Sequence, residues 1–327
     1  AFCSNQCPRA NLGKQSTAMA AGRRRPRRAL TGSEDGSLKL WDMDRSRCID
    51  TLRGHSGRVW CVAVDWDLRR AFSGGVDRVI RVWNLDTGKC FSELRGHDGS
   101  VMCLHADLSV ATEMRVLSGS TDGTLRLWDV PSGECLEKYW GHSGGVTCVA
   151  ADFEVGRALS GSTDNTLRLW DIKGRCLDTI SGHDGPIFSV AVNWLLARAI
   201  SGSKDHRVKL WDLDRGVCLM SLWGHTGPVT GVVANWRNQR IVSASEDGSL
   251  KVWDLVTGNR LRTCQGGALA MRGMQADWHR NHVVVGRGDG SLEVWDIERG
   301  LSHDVLHGHD GEVLCIDADY SSVPIRS

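Results

Sequence analysis

Residues 54–94 read GHSGRVWCVAVDWDLRRAFSGGVDRVIRVWNLDTGKCFSEL, and the rest of the chain repeats this pattern. The tryptophan at Trp83 has counterparts with the same surroundings at Trp41, Trp128, Trp170, Trp211, Trp253 and Trp295, in steps of 42, 45, 42, 41, 42 and 42 residues. Six of the seven are followed by aspartate, and Asn84 is the exception. The Gly-His at His55 recurs at His97, His142, His183, His225 and His309. Within the unit, Val59–Asp65 is apolar on both faces, with Val59, Cys61 and Ala63 against Trp60, Val62 and Val64. A strand buried on both sides has this pattern. Arg70–Gly74 and Val79–Trp83 read as second and third strands, the latter rich in β-branched residues. Asp86-Thr87-Gly88 signals a turn, and Cys90–Leu94 is the outer strand. Four strands this short cannot bury their apolar faces alone; stacked around an axis they can, leaving only short edges.

Repeats of roughly 40–45 residues carrying Gly-His and Trp-Asp marks are the signature of a propeller blade. From about Ala29 to Tyr320 the chain resembles the WD-repeat family. The resemblance implies an all-β fold: one seven-bladed propeller of four-stranded antiparallel blades over residues 29–320. A basic, unstructured segment 1–28 precedes it, and a tail, 321–327, follows. Ala29–Ser33 and Leu38–Asp42 are a second and third strand without a good first strand before them. Val313–Asp319, after His309-Asp310-Gly311, is a first strand without the rest of a blade. Pairing the two closes the ring with a blade built from both termini.

The repeat histidines are separated by a full blade each, so they form a ring rather than a metal or acid–base cluster. Ten residues before each tryptophan stands a hydroxyl (Thr31, Ser73, Ser118, Ser160, Ser201, Ser243), and six before it an aspartate (Asp35, Asp77, Asp122, Asp164, Asp205, Asp247). The family resemblance implies a buried network in each unit, from Trp N–H to hydroxyl to imidazole to carboxylate. Its members here are His55, Ser73, Asp77 and Trp83; His97, Ser118, Asp122 and Trp128; His142, Ser160, Asp164 and Trp170. The remaining sets are His183, Ser201, Asp205 and Trp211; His225, Ser243, Asp247 and Trp253; and His309, Thr31, Asp35 and Trp41. Buried polar groups must be satisfied, and a fully paired network specifies one geometry. One unit departs, with Gly267 in the histidine slot and Val285 in the serine slot beside Asp289 and Trp295. That unit should be the softest.

Residues 1–28 carry seven basic side chains and no acid; with the whole chain at +1, the remainder carries −6. A faintly acidic body argues against phosphate-backbone binding as the propeller's role. The basic stretch suits an unstructured lead-in, an organelle transit peptide, or a nuclear import signal in residues 22–28. Cysteines fall at two repeat slots: Cys61, Cys103, Cys148 and Cys315 on inner strands, and Cys48, Cys90, Cys135, Cys176 and Cys218 on outer ones. Such partners lie too far apart to bridge, which points to a reducing compartment, the cytoplasm with the nucleus admitted. Cys3 and Cys7 form a lone C-x3-C without further metal ligands. No stretch reaches the ~18 apolar residues of a membrane helix.

With the histidines assigned, no catalytic constellation, cofactor motif or small-molecule site remains. What varies between repeats then carries function. The slots three and five after the histidine and the residue before the turn aspartate look over the central channel in WD-repeat proteins, where a partner peptide is held. Here they include Arg58, Trp60, Met102, Phe188, Lys204, Glu246 and Arg272, types that dominate interface energy. The leading expectation is a non-catalytic scaffold holding a protein or peptide on the narrow face. A substrate receptor of a ubiquitin ligase, reading a phosphorylated or acidic motif through Arg58, Arg272 and Lys204, is the alternative. A channel enzyme is third. A further regular slot holds Lys39, Arg81, Arg126, Arg168, Lys209 and Lys251, interrupted by Glu293, and reads as pairing within each blade.

Overall fold

The computed structural model describes residues 26–107 and 114–320, together with the backbone of Phe2–Cys3. Most of the basic segment, and the tail from residue 321, lie outside the described residues. Seven sheets of four antiparallel strands form a ring. Blade 1 comprises Val59–Asp65, Arg70–Gly75, Val79–Asn84 and Lys89–Arg95, from the channel outward. The inner strands of blades 2 to 6 are Val101–Asp107, Val146–Asp152, Ile187–Asn193, Val229–Asn235 and Met271–Asp277. Blade 7 is composite: Val313–Asp319 pairs with Arg28–Ser33, Thr31 opposite Ile316, and the sheet continues through Ser37–Asp42 to Arg47–Arg53. The two ends of the chain thus close the ring. A two-residue strand, Phe2–Cys3, runs parallel to Ser189–Val190 of blade 4, beside the inner strands of several other blades.

The core lies between blades rather than within them. Leu30, Leu38, Leu40 and Leu52 of blade 7 pack against Val59, Val62, Val64, Ala71 and Trp83 of blade 1, and equivalent layers recur around the ring. Burying both faces of every sheet explains why the inner strands carry no polar alternation. The Ser-Gly dipeptide of the second strand sets the spacing. A Cβ at Gly74 would fall 2.5 Å from a Val101 methyl of the next blade, and one at Gly161 2.8 Å from an Ile187 methyl. Only a bare backbone admits the neighbouring inner strand so closely. Small donors then tie the blades across this seam. Cys315, Cys61 and Cys103 place their thiols 3.7, 3.8 and 4.0 Å from the carbonyls of Val59, Val101 and Val146. The Thr230 hydroxyl donates to Met271 O at 2.6 Å, and Thr147 makes the same contact with Ile187 O. The inner-strand cysteines therefore act as small buried hydrophobes with a weak donor. Among the described residues no helix is long and apolar enough to cross a membrane.

Closure makes blade 7 dependent on the last strand. Removing residues 307–327 strips that blade of Val313–Asp319 and exposes the apolar Arg28–Ser33 edge, a template for aggregation. The truncated protein should melt well below the intact chain and self-associate. A monomer of unchanged melting temperature, by light scattering and calorimetry, would overturn this closure.

Candidate functional site

Each of six blades contains one unbroken chain of hydrogen bonds. The tryptophan Nε1–H donates to the hydroxyl at 2.7–2.9 Å in the pairs Trp41–Thr31, Trp83–Ser73, Trp128–Ser118, Trp170–Ser160, Trp211–Ser201 and Trp253–Ser243. Having accepted from the indole, the hydroxyl gives its proton to the histidine Nε2, 2.7–2.8 Å away in His309, His55, His97, His142, His183 and His225. The carboxylates of Asp35, Asp77, Asp122, Asp164, Asp205 and Asp247 can only accept, so the proton of a neutral ring sits on Nδ1, which donates to them at 2.6–2.9 Å, and Nε2 is the acceptor. Burial keeps the imidazoles of His97, His142, His183, His225 and His309 below the ordinary histidine value, although the partner carboxylate pulls the other way. Burial would raise the carboxylates, but hydrogen bonds from neighbouring hydroxyls, backbone N–H groups and the imidazole outweigh it, and Asp35, Asp164 and Asp205 are drawn down to about 2. All these groups are committed to one another, which leaves no acid–base pair for chemistry there. Among the described residues, no group of three or more His, Cys, Asp or Glu side chains is placed to hold a metal ion.

Blade 6 solves the same problem differently. Arg287 stands in a slot that serines fill in five other blades, and its guanidinium is buried against the carboxylate of Glu293 and the carbonyl of Gly266. Glu293 is the residue that interrupts the series of lysines and arginines. The two departures compensate each other: a buried ion pair replaces the histidine chain. Three other cations of this slot find partners inside their blades, Arg81 on Glu93 and Asp77, Lys39 on Thr51 and Lys209 on Ser221. Trp295 is left with an unsatisfied indole N–H among the described residues. Gly267 has φ +89°, a conformation a histidine adopts poorly, so the missing ring could not be restored there by a simple replacement.

The variable slots come together on the face that carries the histidine loops. One backbone hydrogen bond per blade joins the residue before the inner strand to the residue before the turn aspartate: Glu34 N to Glu312 O, Val76 N to Arg58 O, Lys204 N to Pro186 O, Glu246 N to Pro228 O, and likewise in the rest, at 2.8–3.2 Å. Next to this bond each inner strand bulges. Val59 pairs with Gly75 and Cys61 with Gly74, so Trp60 is skipped by the ladder. Met102, Thr147, Phe188, Thr230 and Leu314 are skipped in the same way. In blade 6 the skipped residue is Gly273, and Arg272 stays paired. A bulge re-aims a side chain and recurs beside functional sites. Thr147 and Thr230 turn theirs into the seam between blades, Leu314 is buried, and Trp60, Met102 and Phe188 are only half-buried.

The charged members are linked. Arg272 reaches Glu246 at 2.8 Å and Glu312 at 2.6 Å. Arg58 pairs with Glu34 and lies 5.9 Å over the Trp60 ring. Lys204 is exposed. Glu34 and Glu312 occupy the same variable slots of neighbouring units and were not named from the sequence as partners of these arginines. Opposite charges in rim slots of adjacent units were the signal.

The propeller and its per-blade network define the class. Six segments, residues 24–42, 46–84, 88–129, 133–171, 174–212 and 216–254, match the family model described as WD domain, G-beta repeat, and the chain belongs to that family, whose propellers generally serve as protein-interaction scaffolds without catalytic activity. The matched segments stop short of blade 6, which lacks the histidine. Curated relatives match locally: mitogen-activated protein kinase kinase kinase A of Dictyostelium discoideum is 42% identical over 38 residues, and human WD repeat-containing protein 86 is 47% identical over 36. These matches cover 12% and 11% of this chain but only 4% and 10% of those proteins. Among solved structures, the computationally designed Ika8 protein superposes with a TM-score of 0.70 at 29% identity, covering 90% of this chain and 88% of that one.

Two outcomes test the networks. Asp122→Ala strands the buried imidazole of His97 and should cost about 1–3 kcal/mol; Glu293→Gln leaves Arg287 buried without its counter-charge and should cost about 3–5 kcal/mol. Chemical denaturation measures both, and a silent Glu293→Gln would show that the ion pair does not replace the histidine chain. Acid provides the second test. Histidines whose pKa is depressed in the fold contribute stability that is complete above the ordinary value of 6.5 and is lost as the pH falls through the folded value. His105, outside the networks and stacked half-buried on Phe153, is pushed down to about 4 by desolvation and adds to this loss. The melting temperature should hold above pH 6.5 and fall progressively below it, with a further drop below 3.8 as the aspartates protonate.

Proposed function

We propose that this protein is a non-catalytic scaffold that holds an extended peptide or a protein on the face bearing the histidine loops, around the mouth of the channel. The observation that carries this reading is the set of bulges. In blades 1, 2 and 4 the skipped residue is a large apolar side chain, Trp60, Met102 or Phe188, that does not enter the seam as Thr147 and Thr230 do. Large, half-exposed apolar groups beside charged ones are the composition of binding hot spots. Arg58, Lys204, Glu246 and Arg272 surround them and supply polar contacts. A substrate receptor for a phosphorylated or acidic motif would need unpaired cations at this rim. Arg58 and Arg272 stand among the three carboxylates of Glu34, Glu246 and Glu312, which would repel such a motif and make that second reading the weaker one.

Blades 3 and 5 carry threonine at the skipped position, so Trp60→Thr and Phe188→Thr should fit their blades. Each should weaken partner binding by ~1–3 kcal/mol, as lost anchors do, and leave the melting temperature nearly unchanged. Titration calorimetry and thermal denaturation on the same variants decide it. Variants that melt early yet keep full affinity would make these side chains wall packing and place the binding surface elsewhere.

A further inference from the structure

We propose that the occupant of this rim is an extended peptide that combines apolar side chains with lysine or arginine, its cations docking on Glu34, Glu246 and Glu312 and its apolar groups on Trp60, Met102 and Phe188. The inference rests on the rim reading above and adds the chemistry of the partner.

The mouth is two-sided. The arc from blade 5 through blades 6 and 7 to blade 1 holds Glu246, Arg272, Glu312, Glu34 and Arg58, three carboxylates against two guanidinium groups. Blade 6 adds another acid. In the histidine-bearing blades the turn aspartate is taken up by the imidazole; Asp289 has none to meet and bonds to Ser291 on an exposed turn. That turn adjoins the arc, since a Cβ on Gly288 would lie 3.9 Å from Glu312 Oε1. Among the described residues the arc therefore holds more carboxylates than guanidinium groups. The other side of the mouth, blades 1 to 4, offers Trp60, Met102 and Phe188, with Lys204 beyond them.

Partly exposed ion pairs of this kind are worth little in themselves. An incoming ammonium or guanidinium can share the carboxylates of Glu34, Glu246 and Glu312 without a large cost, and the two arginines hold those carboxylates in place until it arrives. An acidic or phosphorylated segment would meet the same carboxylates as repulsion. The backbone requirement has an independent sign. The channel-side edge of the Phe188 strand accepts an extended segment, because Phe2–Cys3 of the chain itself pairs there in parallel register. Strand addition supplies affinity through the main chain and leaves specificity to alternate side chains. The segment to which Phe2–Cys3 belongs, residues 1–28, contains seven basic residues and no acid.

The test is a selection of random twelve-residue peptides, displayed on phage, against the full chain. Synthetic copies of the recovered peptides are then titrated against wild type, Glu34→Lys/Glu246→Lys/Glu312→Lys, its glutamine counterpart, and Trp60→Thr/Phe188→Thr, all checked for unchanged melting. Peptides enriched in lysine or arginine beside an aromatic or aliphatic residue are expected. They should lose at least about tenfold in affinity on charge reversal, less on the glutamine variant, and weaken as salt rises. Enrichment of aspartate or glutamate, or basic peptides indifferent to charge reversal, would overturn the assigned chemistry while leaving the rim intact if the Trp60/Phe188 variant still loses them. Peptides indifferent to both sets of variants would overturn the rim reading itself.

Discussion

A carboxylate can only accept, so the repeat aspartate requires a proton on the imidazole nitrogen that faces it, and that constraint orients everything around it. With the single proton of a neutral ring on Nδ1, Nε2 is left as an acceptor for the hydroxyl proton, and the hydroxyl oxygen accepts from the indole. Trp83, Ser73, His55 and Asp77 thus belong to one directed chain. Its members come from the third strand, the second strand, the loop before the inner strand and the turn between second and third strands. One chain therefore fixes three elements relative to one another inside each blade. Because the loop carrying the histidine also leads in from the previous blade, the same chain sets the angle at which blades follow. Buried and fully satisfied, it is specific where an apolar cluster would tolerate slippage.

Blade 7 shows how far this constraint reaches. His309 lies at one end of the chain, and Thr31, Asp35 and Trp41 lie at the other, yet the distances match those of blades whose members are neighbours in sequence. Blade 6 shows the constraint by its absence. With no imidazole to receive a proton, the space is filled by Arg287 and Glu293, and the Trp295 N–H is left unsatisfied. An ion pair removed from water must recover its own desolvation cost, so the substitution keeps the shape of the blade at lower efficiency.

The repeating parts were legible because recurrence multiplies weak signals. No single His, Ser, Asp or Trp declares its role, but the same four at constant offsets leave one arrangement. The composite blade was legible for the same reason, as a half-unit at each end. The bulge was not legible. Whether Trp60 joins the ladder or is skipped by it depends on how Val59 and Cys61 pair with the facing strand, and side-chain identity carries no trace of that. Nor does identity separate the uses of the skipped slot: Thr147 faces a neighbour's carbonyl, while Phe188 remains half-exposed at the mouth. The Arg287–Glu293 exchange was written in the sequence as two departures in one unit, but reading it requires knowing that the two side chains meet.

Under the proposed function, stability and recognition fall to different residues of the same strand. A skipped residue contributes no ladder hydrogen bond, so its replacement disturbs neither the sheet register nor the network a few ångströms away. It is the one position of the inner strand where size and polarity are unconstrained by the repeat. Two blades use that freedom to adhere to their neighbours through Thr147 and Thr230, and a third buries Leu314. Three others leave Trp60, Met102 and Phe188 half-exposed. This division makes a nominally sevenfold ring asymmetric at its mouth, with an apolar arc on one side and carboxylates on the other. Such asymmetry is what a ring needs to bind an extended chain in one direction, since a symmetric mouth would accept it in seven equivalent poses.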